Sequence, residues 1–434
     1  MIEFNPRALT ERQRSYVFAL SIYAVLSIVL YVIVRLSDIP SSVCDGYFPY
    51  ADAMMNGIFP YTQDIWVYDG WNTWEYPPLA YVFILLPRLF ASSAAGYQAA
   101  FIVMTFLFFL AGLWCSERLA HHFGRKPERI MVFYTFLMVL MFEFQTDRYD
   151  IIPAVLTLMV AVLFLEKRYV PAFLILAVAV LAKLYPAIFL PVMAIYMLAK
   201  GERKEVLKGV GAFLVFCLAV CAVFVLCDAD PLSFAKYHTD RPLEIESLAA
   251  TVIEFFSIFG LTDVSYAYDY GSDNLYGSLS SSVSGLMLPL AAAAIVIFYA
   301  VFAYRAFRLK DGDVLEKDAG DVCILTVLAF VLISSVFSGQ YMIWLIPPVL
   351  LLYVMRGKKE EKIAMMNLFV VAEAMTQINF LVNYGFRGEG EAMSDLGIIV
   401  VLIRNIIAVA LFVFILRRFL LRKPPQEEAV SAAE

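Results

Sequence analysis

The chain has 434 residues, of which 62% are hydrophobic and only 17% charged, and its mean hydropathy is +0.76. Soluble domains are about half apolar and a quarter charged, so this composition excludes an ordinary soluble protein and indicates an integral membrane protein. The formal charge of −6 comes without a basic stripe that carries aromatic residues, which argues against a nucleic-acid-binding protein.

Apolar runs follow one another along the whole chain, and together they predict an all-α bundle of about twelve transmembrane helices. A bilayer core of about 30 Å needs roughly 20 helical residues, so the shorter runs must tilt or lie inside the bundle. The first run is too long for the core of a signal peptide and is interpreted as a retained span. The runs fall near residues 16–36, 96–117, 129–145, 150–166, 170–183, 184–199, 206–226, 284–304, 321–338, 342–355, 363–384 and 396–417.

Basic residues collect in short segments between these runs, and cytoplasmic loops are enriched in lysine and arginine. We therefore expect both termini to be cytoplasmic, in a cell membrane or an ER-type membrane. The polar segments 37–95 and 227–283 then lie on the outer, non-cytoplasmic side. Segment 76–91 offers only about 21 Å of helix, so we expect it to lie at the outer interface rather than to cross. Segment 170–199 has basic flanks at both ends and is predicted to form a hairpin of two short helices.

The first outer loop begins with an aspartate, Asp45, in "CDGYFPYADAMMNGIFPY". A carboxylate at this place can act as a general base toward a hydroxyl nucleophile. Asp-Gly is also a strong turn signal, so a turn or capping role stays open. Asp52, Asp64, Asp69 and Glu75 share the loop and compete for the role of base.

Further polar groups interrupt apolar runs at the level of the outer face. Charged groups cost about 2.5–3.5 kcal/mol each at the centre of a transmembrane helix, and they usually mark a pathway or a site. Lys183 suits a phosphate oxygen of a lipid held at the membrane edge, although snorkelling to the interface would also explain it. The other members of this group are Asp147, Arg148 and Asp150 in "QTDRYD" and Gln340 and Tyr341 in "FSGQYMIWLIPP".

The second outer loop contains "AKYHTDRPLEIESL", residues 235–248, an unusually polar stretch for this chain. His238 is the one histidine of three that is expected on the outer side. Arg241 beside it favours an anion-binding group. Glu244 and Glu246 suit two roles: they orient Arg241 or bind sugar hydroxyls, or they cap a helix that starts at Glu246 or Ser247.

The six cysteines show no spacing typical of a metal site. Most lie in apolar runs and are interpreted as small buried side chains. A disulfide between Cys44 and Cys227 is conceivable if both face an oxidising compartment.

Three stretches resemble the polytopic GT-C glycosyltransferases: "FPYADAMMNGIFPY…WEYPPLAYVFILLP", "DRYDIIPAVLTLMVAVLFLEKRYVPAFLILAVAVLAKLYPAIFLPV" and "KYHTDRPLEIESL". They look closest to the family 87 polyprenyl-phosphate-mannose-dependent mannosyltransferases. The "YH…R…ES" and "KLYP" stretches are also similar to the first mannosyltransferase of GPI-anchor synthesis. The resemblance covers most of residues 1–355, which we interpret as the catalytic region. Residues 356–434 would add C-terminal helices, of no family that we can assign, and a cytoplasmic tail.

The resemblance implies a sugar donor carried on polyprenyl phosphate, a hydroxyl acceptor on a glycolipid or glycan, contact with membrane lipids, and inversion in one step without metal or cofactor. Asp45 matches the early-loop aspartate of the family and would be the base. Lys183, Arg241 and His238 would stabilise the departing phosphate, where negative charge grows. The other implied residues are Tyr185 at the donor phosphate and, for the substrates, Tyr76, Asp147, Arg148, Asp150, Tyr237, Glu244, Glu246, Gln340 and Tyr341.

A secondary transporter or flippase for a lipid-linked or anionic substrate is the alternative, since about twelve spans with buried charges suit it. Transporters commonly show internal repeats, and the sequence shows none. The charges also cluster at one face rather than along a path. A membrane scaffold without activity would leave the gathered ionisable groups unexplained. The sequence therefore favours the enzyme.

Overall fold

Helices form most of the structure, which is a computed structural model. Six of the described helices are long and apolar enough to cross a bilayer, and shorter apolar helices of 10–17 residues accompany them. This confirms the predicted all-α, multi-pass membrane bundle. The structure describes residues 10–36, 41–67, 70–72, 74–235, 241–309, 312–384 and 390–422.

Each predicted apolar run contains a helix, but the run 129–145 is divided at Met141 into α5 and α6. The helices are α1 (Glu11–Leu36), α2 (Phe48–Met55), α3 (Ala80–Arg88), α4 (Ala94–His122), α5 (Pro127–Leu140), α6 (Phe142–Asp147), α7 (Ile151–Leu165), α8 (Tyr169–Ala182), α9 (Phe189–Ala199), α10 (Arg203–Leu226), α11 (Leu248–Ser257), α12 (Ser278–Leu309), α13 (Gly312–Leu332), α14 (Met342–Met355), α15 (Lys359–Asn379) and α16 (Asp395–Leu421).

Serine side chains begin three of these helices. Ser93, Ser247 and Ser394 each have an extended backbone, and each accepts a hydrogen bond from the backbone N–H three residues later. This is the usual N-cap arrangement, and it satisfies one of the amide groups that a helix leaves without a partner. It also answers one question about the second outer loop, because Ser247, rather than Glu244 or Glu246, caps the helix that follows.

Helix α3 and the bend between α8 and α9 contact each other. Helix α3 has nine residues, about 13 Å, which is well short of a bilayer core. Its flanking residue Leu79 donates a backbone hydrogen bond to the carbonyl of Leu181 at 2.8 Å, at the end of α8. Helices α8 and α9 run in sequence through a 3-10 turn at Tyr185–Ile188. The short helix of the first outer loop is thereby attached to the bend of the predicted hairpin.

Two small antiparallel sheets lie in the outer loops, and neither was predicted. In the first loop, β1 (Ile65–Val67) pairs with β2 (Gly70–Asn72). In the second, β3 (Leu243–Glu244), β4 (Ser265–Asp269) and β5 (Ser272–Tyr276) form a sheet in the order β3-β5-β4. The polar second loop thus contains an ordered sheet, and the long helix α12 follows it.

The C-terminal helix α16 forms one side of a small core under this sheet. Leu243, Leu275 and Ile253 from the second outer loop pack in one buried cluster with Ile398 and Val401 of α16. The division between residues 1–355 and 356–434 stays a prediction. The cluster nevertheless makes the C-terminal helix part of the support of the outer loop.

Arg404 of α16 reinforces this contact in the interior. Its side chain is 0% exposed, and its Nη1 donates to Glu246 Oε2 at 2.6 Å. Its Nη2 donates to the carbonyl oxygens of Glu246 and Phe337 at 2.5 and 3.2 Å, and the guanidinium lies 4.1 Å from the centre of the Phe337 ring. One arginine therefore ties α16 to both outer segments that carry candidate site residues.

Arg404→Lys should lower the free energy of unfolding by about 2 kcal/mol, since a hydrogen bond to a charged group contributes about 1.5–3 kcal/mol net. Lysine keeps the charge for Glu246 but lacks the fork that reaches two further oxygens. Chemical unfolding of the purified protein in detergent measures the change. Arg417→Lys is the matched control, because Arg417 is exposed on the same helix. Equal stability of the two variants would contradict this role of Arg404.

The opposite end of the bundle contains a network of ion pairs. Arg305 pairs with Asp318 at 2.8 Å, and Arg356 pairs with Asp321 at 2.6 Å. Arg422 bridges both aspartates at 2.5 Å. These arginines belong to the basic segments that the sequence assigns to the cytoplasm. They tie α12, α13, α14 and the end of α16 together, in addition to any role in orientation.

The disulfide considered from the sequence is absent among the described residues. The Cys44 thiol donates to the carbonyl of Ala94 at 3.8 Å, and Cys227 is exposed and not bonded to it.

Candidate functional site

Lys183 lies where α8 ends, in extended backbone conformation, and its side chain is 16% exposed. Its Nζ donates to Asp150 Oδ1 at 2.6 Å, and the Trp344 indole N–H donates to the same oxygen at 2.7 Å. Asp150 is 1% exposed, and its Oδ2 has no hydrogen-bond partner in the described ranges. The buried carboxylate thus fixes an ammonium group at the bend and keeps a further acceptor beside it.

Aromatic rings surround this ammonium. Tyr185 and Tyr341 stack on Trp344, with ring centres 4.4 and 3.7 Å apart. Lys183 Nζ lies 4.8 Å from the centre of the Tyr149 ring and 5.1 Å from that of Trp344. Ring faces attract cations within about 6 Å, so these rings hold the ammonium in place while leaving part of it accessible. We call Tyr185, Trp344 and Tyr341 the aromatic stack.

Asp147 fixes the start of the first outer loop. Its carboxylate accepts hydrogen bonds from Ser41 Oγ at 2.7 Å and from the Ser42 backbone N–H at 3.0 Å. These serines precede a π-helical turn, Val43–Tyr47, which contains Asp45 as an exposed side chain. The predicted base therefore stands on a backbone segment that a buried carboxylate holds from below.

Tyrosine contacts connect this turn to the lysine. The Tyr47 ring contacts the Tyr149 ring at 5.7 Å, and the Tyr76 ring contacts it at 5.2 Å. Tyr149 is the ring beside Lys183, so aromatic contacts connect the turn that carries Asp45 with the bend that carries Lys183. We call this turn and this bend the two walls of the candidate site. Of the residues expected at a substrate, Tyr76 contacts both Tyr47 and Tyr149.

Arg148 links the two walls by charge. Its Nη1 pairs with Asp147 Oδ2 at 2.7 Å, and its charge lies within electrostatic range of Lys183. In the "QTDRYD" stretch, Asp147 thus bonds Ser41, Arg148 bonds Asp147, and Asp150 bonds Lys183. The stretch therefore connects the start of the first outer loop with the lysine.

The acids of the first loop that compete with Asp45 for the role of base have different environments in the structure. Asp52 pairs with Arg88 at 2.9 Å, Asp64 is exposed, and Asp69 lies outside the described residues. Glu75 is 7% exposed and makes no hydrogen bond or ion pair with another described residue. Its carboxylate acts electrostatically on Lys183, Tyr149 and Tyr341. Among the described acids that compete with Asp45, Glu75 is thus the one whose charge acts on the cluster.

Arg241 approaches the aromatic stack from the second outer loop. Its Nη2 donates to Ser272 Oγ at 2.7 Å, and its charge acts on both Tyr341 and Glu244. Glu244 Oε2 accepts the backbone N–H of Phe337 at 3.1 Å. Because Glu244 is buried, desolvation raises its pKa well above the ordinary value. Two outer loops and the α8 bend thus contribute to one group of polar side chains.

Among known families, the chain matches the family model described as glycosyltransferase family 87 over residues 74–338, more than half of its length. The chain belongs to glycosyltransferase family 87. With its apolar helices, it is therefore a membrane glycosyltransferase. The matched span contains Lys183, Asp150 and Arg241 and begins after Asp45. Comparison with curated proteins gave no match.

The remaining residues that the sequence predicted at the site of this family 87 enzyme are not all found beside Lys183. Tyr237 and His238 lie outside the described residues. Gln340 Oε1 accepts a hydrogen bond from Ser338 Oγ at 2.8 Å, directly beside Tyr341 in the aromatic stack. Glu246 is 1% exposed and its side chain is directed at Arg404 in the interior.

Sequence reasoning missed two residues that organise the site of this family 87 enzyme. Trp344 both bonds Asp150 and forms the centre of the aromatic stack. Tyr149 lies between the two walls, and its hydroxyl donates to the carbonyl of Ala182 at 3.2 Å. A tryptophan within the apolar "YMIWLIPP" was the available signal for the first. No local signal separates Tyr149 from the many other tyrosines.

Proposed function

We propose that this glycosyltransferase moves a sugar, mannose by its resemblance, from a polyprenyl-phosphate carrier to a hydroxyl of a glycolipid or glycan acceptor, with inversion. The observation that supports this function most directly is the position of Lys183, a mostly buried ammonium held between Asp150 and the aromatic rings. Ionisable groups buried in a membrane bundle are costly even when paired, and they usually mark a substrate pathway or a site.

The donor phosphate would bind at Lys183. An ammonium has three N–H donors, and Asp150 takes one of them. The remaining donors suit phosphate oxygens, with Arg241, whose charge acts on Tyr341, as a second cation. When the sugar–phosphate bond breaks, negative charge grows on the phosphate, and cations already in position stabilise that charge. His238, three residues before Arg241, would add a hydrogen bond to the same phosphate, and Tyr185 would support it through the aromatic stack.

The acceptor would be activated on the other wall. One-step inversion needs a base on the side of the sugar away from the leaving phosphate, and Asp45 would be that base. Its side chain is exposed, and Asp147 holds the backbone just before its turn. The sugar would lie between the walls, against Tyr76, with Glu75 accepting its hydroxyls. The other substrate contacts that we propose are those of Arg148, Asp150, Tyr237, Glu244, Gln340 and Tyr341. Glu246 would act through Arg404 by fixing the loop.

A donor series tests this function. The purified protein in liposomes would receive polyprenyl phosphates carrying mannose, glucose or arabinose, together with a glycolipid extract as acceptor. We expect mannose to be transferred, with the anomeric configuration opposite to that of the donor. Retained configuration would point to a covalent sugar–enzyme intermediate and would contradict the role of Asp45 as a base.

Phosphate recognition by Arg241 should depend on its geometry. A guanidinium fork can bind two phosphate oxygens where an ammonium binds as a point charge. Arg241→Lys should therefore lower kcat/KM for the donor about tenfold or more, in line with the loss of one charge-assisted hydrogen bond. Arg88→Lys is the control, since Arg88 pairs with Asp52 away from Lys183. Equal kinetics of both variants and wild type would remove Arg241 from the phosphate.

We also propose that the site faces the non-cytoplasmic side and that both termini are cytoplasmic, because the basic segments lie at the other end of the helices. Labelling with a membrane-impermeant thiol reagent tests this orientation in a Cys227→Ser background, since Cys227 is itself exposed. Asp64→Cys should react in intact cells, and Lys204→Cys should react only after permeabilisation. The reverse pattern would invert the orientation.

A further inference from the structure

A cavity of about 360 Å³ opens between α7, α9, α13 and α14, at the opposite end of these helices from Lys183. Lys167 at its mouth follows the end of α7, whereas Asp150 precedes the start of that helix. The 15 residues of α7 separate the two ends by about 22 Å. The cavity is therefore distinct from the candidate site and belongs to the other face of the bundle.

The walls of this cavity are apolar. They are formed mainly by aliphatic and aromatic side chains, among them Val160, Ala161, Phe164, Val192, Met193 and Leu351. Apolar cavities large enough for several water molecules tend to stay dry and to bind apolar ligands. For a cavity that opens at the end of a membrane bundle, the apolar ligand within reach is an acyl chain.

The mouth carries charges of both signs. Lys167 and Lys200 are exposed, and Glu202 and Glu316 line the opening with them. None of these four forms an ion pair with another described residue. Glu202 Oε2 is buried and has no hydrogen-bond partner in the described ranges. The Tyr169 hydroxyl, which also lines the cavity, interacts with the Glu202 carboxylate. A ligand at the mouth would therefore add a further donor to this carboxylate, which has lone pairs for several.

We propose that the cavity binds one acyl chain of a phospholipid whose headgroup carries a primary ammonium, as phosphatidylethanolamine does. The ammonium would donate to Glu202, and the phosphate would meet Lys167 and Lys200. A phosphatidylcholine headgroup has no N–H to donate, and phosphatidylglycerol has no cation. The charges at the mouth would thus distinguish lipids that have the same acyl chains but different headgroups.

The floor of the cavity separates this lipid from the donor. Thr157 lines the cavity, and its Oγ1 lies 3.5 Å from the Tyr185 hydroxyl. Tyr185 in turn stacks on Trp344, which bonds the partner of Lys183. A polyprenyl chain attached to a phosphate at Lys183 would have to pass this aromatic stack to enter. The cavity therefore suits a second lipid, with its own headgroup at its own mouth.

Native mass spectrometry of the delipidated protein tests the proposal, with phosphatidylethanolamine, phosphatidylcholine or phosphatidylglycerol of identical chains added separately. We expect phosphatidylethanolamine to bind about tenfold more tightly than the other two, as the hydrogen bond to a charged group implies. Glu202→Gln should abolish this preference while all three lipids still bind. Ala161→Trp should prevent binding of any of them, and Ala222→Trp, on an exposed face of α10, should change nothing.

Three results would overturn the proposal. Equal binding of the three lipids by the wild type would remove the headgroup site. Unchanged binding by Ala161→Trp would place the lipid elsewhere on the surface. A polyprenyl phosphate that competes with phosphatidylethanolamine for the cavity would assign it to the donor chain. If Ala161→Trp fails to fold, Glu202→Gln decides, because its side chain is at the mouth rather than in the packed wall.

Discussion

Asp45→Asn is expected to leave the protein inserted and folded while lowering kcat at least about a hundredfold, the lower end for loss of a general base. Asparagine has the same shape, and the side chain is exposed, so the substitution leaves no buried charge without a partner. The backbone of the π-helical turn, whose Asp45 N–H donates to the Ser41 carbonyl at 3.0 Å, should be unaffected. Initial rates at saturating donor and varied acceptor measure the effect.

Asp64→Asn is the control for this variant, because Asp64 is also an exposed acid of the same loop but lies outside the turn Val43–Tyr47. Glu75→Gln is the informative competitor. If Asp45→Asn kept full activity while Glu75→Gln lost it, the buried glutamate would be the base. If Glu75 instead binds sugar hydroxyls, its variant should raise the donor KM more than it lowers kcat.

Removing Lys183 should have two separable effects. Lys183→Met removes a cation from the developing phosphate charge, which we expect to lower kcat/KM at least about a hundredfold. It also leaves Asp150 buried without its counter-charge, and breaking a buried pair costs about 3–5 kcal/mol of folding stability. Rates and unfolding free energies must therefore be measured on the same preparations.

The double variant Lys183→Met/Asp150→Asn separates the two effects. Its asparagine oxygen can still accept the Trp344 indole N–H, but no buried charge remains, so most of the lost stability should return. Sugar transfer should stay low, because the phosphate still lacks its cation. A double variant that transfers sugar at the wild-type rate would limit Lys183 to a structural role.

Helices were predictable because hydrophobic length is a local property of the sequence. The break at Met141 and the two sheets were not predicted. The hairpin of β4 and β5 did have a signal in the sequence, because Tyr266 and Tyr268 alternate with smaller or polar residues before Gly271. In the structure, Tyr270 and Gly271 form the turn with positive φ angles of 50° and 63°. A two-residue turn of this kind joins antiparallel strands. The polar composition of the segment predicted only a loop there.

The candidate site residues were recognisable by type, since charges within apolar runs stand out. Their pairing was not, because it depends on distant parts of the chain. Asp150 and Lys183 are 33 residues apart, and Glu246 and Arg404 are 158 apart. Glu246 lies in the same polar stretch as Glu244 and Arg241, yet its side chain forms a buried ion pair with Arg404 of the last helix. Only the packing of α16 on the second outer loop distinguishes a supporting residue from one at the site.

The most direct test compares two donors of the same radiolabelled sugar in liposomes that contain the purified protein and no other enzyme. One donor carries the sugar on polyprenyl phosphate, and the other carries it on a nucleotide diphosphate. We predict that label enters the acceptor only from the lipid donor and that Lys183→Met/Asp150→Asn abolishes this transfer. Transfer from the nucleotide sugar without any lipid carrier would contradict the assignment of Lys183 to a lipid phosphate.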